Sequence, residues 1–276
     1  RELHKKDQII SPLIEQGQSP YHILANHPEL DMSVRTLYSY LDQGLFTARN
    51  IDLKRKVHFK PRKCHKTQIT DRAVFSNRLY HDFCSLALTD YVQMDTVHSS
   101  RESKKTLLTM FFTKEKLFLA FLMNRCTKGA VRLVFDRLEK RMGTYEFASV
   151  FEYILTDRGS EFGDPDALET GVNGIQRSSI YYCDPMQSGQ KGGLEQAHTM
   201  LRMILPKGTC FEFLTQWDIN LIVNHINSTP RESLGGRTPY SVALEALGEE
   251  VLNAFQLRPI TPDEGNLTPK LIRFNH

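Results

Sequence analysis

The chain has 276 residues, 40% of them hydrophobic, enough to bury a core in one medium domain with one or two small ones beside it, so a disordered chain is excluded. Thirty-five Lys and Arg against 32 Asp and Glu leave a formal net charge of +3, too little to identify a partner by itself. The five cysteines (Cys64, Cys84, Cys126, Cys183 and Cys210) are odd in number, scattered and never in a Cys-x-x-Cys pair, which argues against a disulfide framework and against a zinc site. No apolar run approaches the roughly 20 residues of a membrane span and no charged-then-apolar leader opens the chain. The expectation is a cytosolic protein without membrane partners, and a start at Arg1 rather than Met predicts a portion upstream.

Three short helices are predicted in the first 45 residues. Ile9, Ile10, Leu13 and Ile14 make one apolar stripe, and Ser19-Pro20 caps and opens a second helix at Tyr21. Ser33 caps a third, in which Val34, Leu37, Tyr38 and Leu41 fall on one face and Gly44 marks the stop. Arg35, Thr36 and Ser39 then face outward, as the recognition helix of a helix-turn-helix requires for the major groove, although the turn from His27 to Met32 is longer than usual. Behind it, Arg49, Lys54, Arg55, Lys56, Lys60, Arg62, Lys63 and Lys66 share their stretch with a single acid, Asp52. That density suits a phosphate backbone, and with Pro61 and no periodicity the stretch reads as an extended tether along DNA. Of these, Lys54, Arg55, Lys56, Lys60, Arg62 and Lys63 are the candidate phosphate contacts.

From about Arg72 the pattern becomes strand-like. Tyr91 to Val97 alternates and carries Asp95 in mid-strand, and Leu107 to Phe112 and Leu117 to Met123 are apolar runs joined by a hairpin-length connection. A helix follows with Val131, Leu133, Val134, Leu138 and Met142 on one face and Gly143 at its end. Phe151 to Leu155 is the fourth strand and delivers Asp157 at its tip, in the run Leu155-Thr156-Asp157-Arg158-Gly159-Ser160-Glu161-Phe162. A Gly- and Asp-rich loop is expected from Gly159 to Gly193, then a helix burying Leu194, Ala197, Leu201 and Ile204 and presenting Glu195, His198 and Arg202 on another face. Thr238-Pro239 caps a last helix, and beyond Leu257 an irregular tail or partner-binding arm is expected. The fold class is α/β: a mixed sheet flanked by helices, preceded by a small helical domain. The expected division is 1–48, a basic linker 49–85, a catalytic domain 86–230 and an extension 231–276.

Asp95, Asp157 and Glu195 occupy a mid-strand position, a strand tip and the first turn of a helix on the same sheet. Three carboxylates in a poorly solvated cleft repel unless cations neutralise them, and hard oxygen ligands favour Mg²⁺ or Mn²⁺. Two such ions about 3.5–4 Å apart suit in-line displacement at phosphorus, so the substrate class is a phosphodiester backbone. Arg158, Lys191 and Arg202 are the candidate phosphate contacts near them.

The chain resembles the DDE transposases of the insertion-sequence-thirty family. The stretches that carry the likeness are Tyr91 to Val97, Leu155 to Phe162, Tyr182-Cys183-Asp184-Pro185, Gly193-Leu194-Glu195 with Leu205-Pro206-Lys207-Gly208-Thr209, and Asn227-Ser228-Thr229-Pro230-Arg231-Glu232-Ser233-Leu234-Gly235-Gly236-Arg237-Thr238-Pro239. The resemblance implies a ribonuclease-H-like integrase core with Asp95, Asp157 and Glu195 as catalytic metal ligands. It also implies a transposase that binds the terminal inverted repeats of a DNA element, cuts and joins strands in target DNA, and works as a dimer or larger oligomer in the bacterial cytoplasm and nucleoid. Two departures are the extra length at Gly163 to Ile175 and Gln196-Ala197-His198 where relatives often carry Asn. A nuclease without strand transfer, and a DNA-binding regulator that uses only residues 1–66, stay open as alternatives.

Overall fold

The computed structural model describes residues 2–54, 73–185 and 187–272. The first 45 residues fold as α1 (Glu2–Glu15), α2 (Pro20–Asn26) and α3 (Val34–Asp42), with a 3₁₀ turn at Pro28–Leu30 filling the long turn. Both expected caps form: the Ser19 hydroxyl accepts from the His22 N–H at 3.2 Å, and the Ser33 hydroxyl from the Thr36 N–H at 3.0 Å. Ile10, Leu13, Ile14, Ile23, Leu30, Leu37, Leu41 and Phe46 make a core of their own. Tyr38, expected among them, is 43% exposed.

The second core forms on a five-stranded sheet. After α4 (Tyr80–Ser85) come β1 (Val92–His98), β2 (Thr106–Phe112) and β3 (Phe118–Met123), an antiparallel meander. The crossover to β4 (Tyr153–Thr156) uses two helices, α5 (Lys128–Met142) and α6 (Thr144–Val150). Gly143, at φ 87°, takes the left-handed corner between them, so the strand starts at Tyr153 rather than Phe151. On α5, Phe135 is buried and Leu133 is exposed, a correction to the expected face. α7 (Pro165–Glu169) then leads to β5 (Ser179–Tyr182), a four-residue strand inside the stretch expected to be loop.

The order β3-β2-β1-β4-β5, with β4 and β5 parallel to β1, is that of a ribonuclease-H-like sheet. β1 lies at its centre. Val92 stands beside Ile154 and Gln93 beside Leu155, and carrying that register two residues further sets Asp95 level with Asp157.

α8 (Gly192–Ile204) packs on β1 and β2, burying Leu194, Ala197, Leu201 and Ile204 as expected. α9 (Gln216–Asn227) covers β3, and Asn227 mimics a strand partner there: its amide accepts from the Phe118 N–H at 2.9 Å and donates to the Phe118 carbonyl at 2.7 Å. α10 (Pro239–Leu247) and α11 (Glu249–Ala254) complete the helices among the described residues. The tail from 257 to 272 is irregular, with two 3₁₀ turns, but it is a strap and not a free arm. Leu257, Leu267 and Ile272 sink into the sheet core while the Gln18 amide donates to the Pro262 and Gly265 carbonyls, at 2.9 Å each. No described helix is long and apolar enough to cross a membrane.

Candidate active site

Asp95 and Asp157 meet because β1 and β4 run in the same direction with no offset at their tips. One oxygen of each is held by backbone: Asp95 Oδ1 accepts from the Thr96 N–H at 2.7 Å, and Asp157 Oδ1 from the Gly159 N–H at 2.9 Å. The other two oxygens face one positive centre. Lys191 Nζ lies 2.9 Å from Asp95 Oδ2 and 3.5 Å from Asp157 Oδ2, and donates to the Met94 carbonyl at 3.3 Å. Burial pushes the Asp157 carboxyl up from its ordinary value; the Lys191 ammonium opposes that push and the Asp95 charge adds to it. Two hard carboxylate oxygens converging on one cation is a donor set that fits Mg²⁺ or Mn²⁺.

Lys191, a candidate phosphate contact beside the metals, is 4% exposed and ion-paired with both aspartates. It ends the 3₁₀ turn Ser188–Lys191 that feeds α8. The start of α8 is fixed by two features. A Cβ at residue 193 would run into the buried Phe111 ring, so only glycine lets the helix approach β2 this closely. The Gln93 side chain, 4% exposed, accepts from the Leu194 N–H at 2.9 Å and pins the helix to β1. Gly193→Ala is therefore expected to destabilise the fold by about 1–3 kcal/mol in urea denaturation. Gly192→Ala, with open space at its Cβ, is expected to be near neutral; equal effects at the two sites would refute the close-approach explanation.

Glu195 occupies the first turn of α8 and is exposed. Asp95, Asp157 and Glu195 do not form a trio whose ligand atoms all lie within 4.8 Å of one another, and Lys191 stands between the two aspartates. His198 does not share an open face with Glu195. It turns inward, 2.8 Å from the Thr109 hydroxyl, which in turn donates to the Asp95 carbonyl at 3.1 Å. Burial pushes His198 down to about 4, leaving it neutral near pH 7. Arg202 donates to the His98 carbonyl at 3.2 Å and the Leu205 carbonyl at 3.4 Å.

Arg158 donates to the Cys183 carbonyl at 3.2 Å, lies 3.8 Å from Asp184 and stacks over the Phe75 ring. On α3, Arg35 is exposed, Thr36 hydrogen-bonds Ser33 and Ser39 accepts from Gln43. Lys54, assigned to an open tether, is tucked against the strap, donating to the Leu267 carbonyl at 2.9 Å, and burial pushes it down to about 7. Arg55, Lys56, Lys60, Arg62 and Lys63 lie outside the described residues.

Sequence reasoning passed over Gln93, Thr96, Thr109 and Glu161. The Thr96 hydroxyl donates to Glu161 Oε1 at 2.7 Å, which brings Glu161 beside the acid pair. A signal for Gln93 was present: two residues before Asp95 on one strand, it shares that side chain's face.

No family model matches the chain. It is similar to the transposase InsI of insertion sequence element IS30A from Escherichia coli K12, 32% identical over 88 residues, or 31% of this chain and 21% of that protein. The transposase of element IS1086 from Cupriavidus metallidurans is 34% identical over 100 residues, covering 36% of this chain and 28% of that one. The putative integrase ORF3 of Spiroplasma virus SpV1-R8A2 B is 24% identical over 204 residues, 73% of this chain and 60% of that protein. The matched segments thus span between a fifth and three tenths of the two transposases. Among solved structures, the catalytic core domain of BIV integrase superposes with a TM-score of 0.40 at 23% identity, over 58% of this chain and 96% of that chain. A simian T-cell lymphotropic virus intasome superposes with a TM-score of 0.41 at 12% identity, over 81% and 74%.

Proposed function

From the premise that this chain is a relative of the insertion-sequence-thirty transposases, with a ribonuclease-H-like core, we propose that it binds the ends of a DNA element and cuts and joins strands there. The observation that carries this reading is the convergence of Asp95 and Asp157, from neighbouring parallel strands, on one positive centre. Asp95, Asp157 and Glu195 would hold Mg²⁺ or Mn²⁺, two ions in all. Bound there, the cations supply charge neutralisation for the attacking and leaving oxygens at phosphorus.

The chain's own residues do the rest. Glu195 completes the ligand set from a helix already pinned to β1 through Gln93. Lys191 gives up the carboxylates, and its ammonium becomes free to meet the phosphate charge of the substrate. The neutral, buried His198 holds Thr109 behind Asp95 and plays no part as a base. Hydrolysis at the element end frees a 3′-hydroxyl; that hydroxyl attacks a target phosphodiester, forming the new P–O bond as the target strand's own 3′-oxygen leaves, so neither step needs a covalent bond between protein and DNA. Arg35 on α3 reads the end sequence in the major groove, and the basic stretch behind it follows the phosphates. A cleft between the helical bundle and α8, lined by Tyr38, Lys54, Gln196 and Arg231, supports a DNA path from that reader towards the acids. Two ends must be cut, which calls for at least a dimer, acting on the nucleoid in the cytoplasm.

The test uses end-labelled duplexes covering the sequences that flank the gene. With Mg²⁺ the protein is expected to nick at the element end and to join a pre-cut end to target DNA. EDTA is expected to remove both products and leave duplex binding intact in a gel shift. Equal product in EDTA would overturn the reading, and cleavage without joining would reduce it to a nuclease.

A further inference from the structure

We propose a second metal site in this protein, formed by His98, Cys126 and Glu161, for a zinc-class divalent ion and distinct from the acid pair. Three separate segments bring these residues together: His98 is the last residue of β1, Cys126 follows the end of β3, and Glu161 sits in the 3₁₀ turn Ser160–Phe162 after β4. An imidazole nitrogen, a thiol sulfur and a carboxylate oxygen from them all lie within 4.8 Å of one another, the only such trio among the described His, Cys, Asp and Glu residues. A nitrogen, sulfur and oxygen set suits Zn²⁺ or Co²⁺ and is a poor match for Mg²⁺ or Mn²⁺. Three protein ligands leave the fourth tetrahedral position to solvent.

Two features of the surroundings support the site. The Thr96 hydroxyl holds the Glu161 carboxylate at 2.7 Å, the kind of outer hydrogen bond that orients a ligating carboxylate. A cleft lined by His98 and Cys126, with Arg101, Lys104, Lys105 and Arg125 also along its walls, opens this side of the trio to solvent. The absence of a Cys-x-x-Cys pair does not speak against such a site, because its ligands come from three strand ends and not from one local motif. An ion there would tie the ends of β1 and β3 to the turn that follows Asp157. The rival is a thiol that only hydrogen-bonds the Glu161 carboxylate in a metal-free protein.

The full chain, purified with chelator and titrated with Co²⁺, separates the two. The site is expected to give a thiolate-to-cobalt charge-transfer band in the near ultraviolet that saturates at one equivalent, persists in excess Mg²⁺ and is displaced by Zn²⁺. Cys126→Ser should remove the band, and His98→Ala, at an exposed position, should weaken binding by at least about tenfold. Glu195→Gln, at an exposed position on α8, should leave the band unchanged, so the result is independent of whether the acid site works as proposed. No band, or a band that survives Cys126→Ser or is unchanged by His98→Ala, overturns the site. If Cys126→Ser does not fold, the His98→Ala titration alone decides.

Discussion

Asp157→Asn is expected to lower Mg²⁺-dependent strand cleavage by at least about 10²-fold, a loss seen even when only an outer partner of a metal ligand is removed. The amide keeps the shape of the side chain and the bond from the Gly159 N–H, so the strand tip stays in place. What it loses is the charge. Asp95 and Asp157 present two anionic oxygens to one centre, now satisfied by Lys191; with Asn the pair can balance only one positive charge, and a divalent ion is left under-neutralised. Duplex binding in a gel shift should persist, because the helical bundle and its core are separate from the sheet core. Cleavage within a few-fold of the unsubstituted protein would remove Asp157 from the site. The pH dependence has a definite sign. Burial raises Asp157 from its ordinary value, so protons compete with the cation at a higher pH than they would at an exposed aspartate. Cleavage at limiting Mg²⁺ should fall on acidification and excess Mg²⁺ should restore it.

The residues whose placement follows from local chemistry were legible in the chain. Ser19 and Ser33 cap their helices, the β1–β3 meander forms, and Leu194, Ala197, Leu201 and Ile204 face the sheet, because caps and periodicity act over one or two turns. Asp95 and Asp157 could be nominated as strand-borne acids for the same reason. What the sequence could not fix is direction and company. The level pairing of Asp95 with Asp157 depends on β4 running parallel to β1, a property of the crossover through α5 and α6 and not of either strand. β5 escaped because four residues carry too little alternation to stand out. Lys54 was read as part of an open tether and Lys191 as a phosphate contact, because composition gives their charge and not their burial; in the fold each is drawn inward by an oxygen partner far along the chain. His198 and Glu195 share a sequence-level face on α8, yet the sheet takes in one and leaves the other exposed.

The extra length around residues 163–175 leads to a stability prediction of similar weight. Just beyond it lies Arg177, whose side chain is fully buried. Its guanidinium lies 2.7 Å from both Asp136 and Glu139 on α5, donates to the Leu168 carbonyl at 2.9 Å and packs on the rings of Phe135 and Phe147. One cation therefore fastens α7 and the entry to β5 onto the helix behind the sheet. Arg177→Met keeps much of the volume but leaves Glu139, 1% exposed, as a buried charge without its counterion. The expected loss is about 3–5 kcal/mol in urea denaturation, because stripping one partner from a buried pair exposes the desolvation cost of the other. Adding Glu139→Gln to the same chain removes the stranded charge; the amide oxygen can still accept from the Val172 N–H while the NH2 donates to the Thr144 hydroxyl, and the double variant should recover more than half of that loss. A single-variant loss under about 1 kcal/mol, the scale of an exposed ion pair, would mean that Arg177 is not a buried tie. A double variant no more stable than the single one would place the cost in lost packing against Phe135 and Phe147 instead.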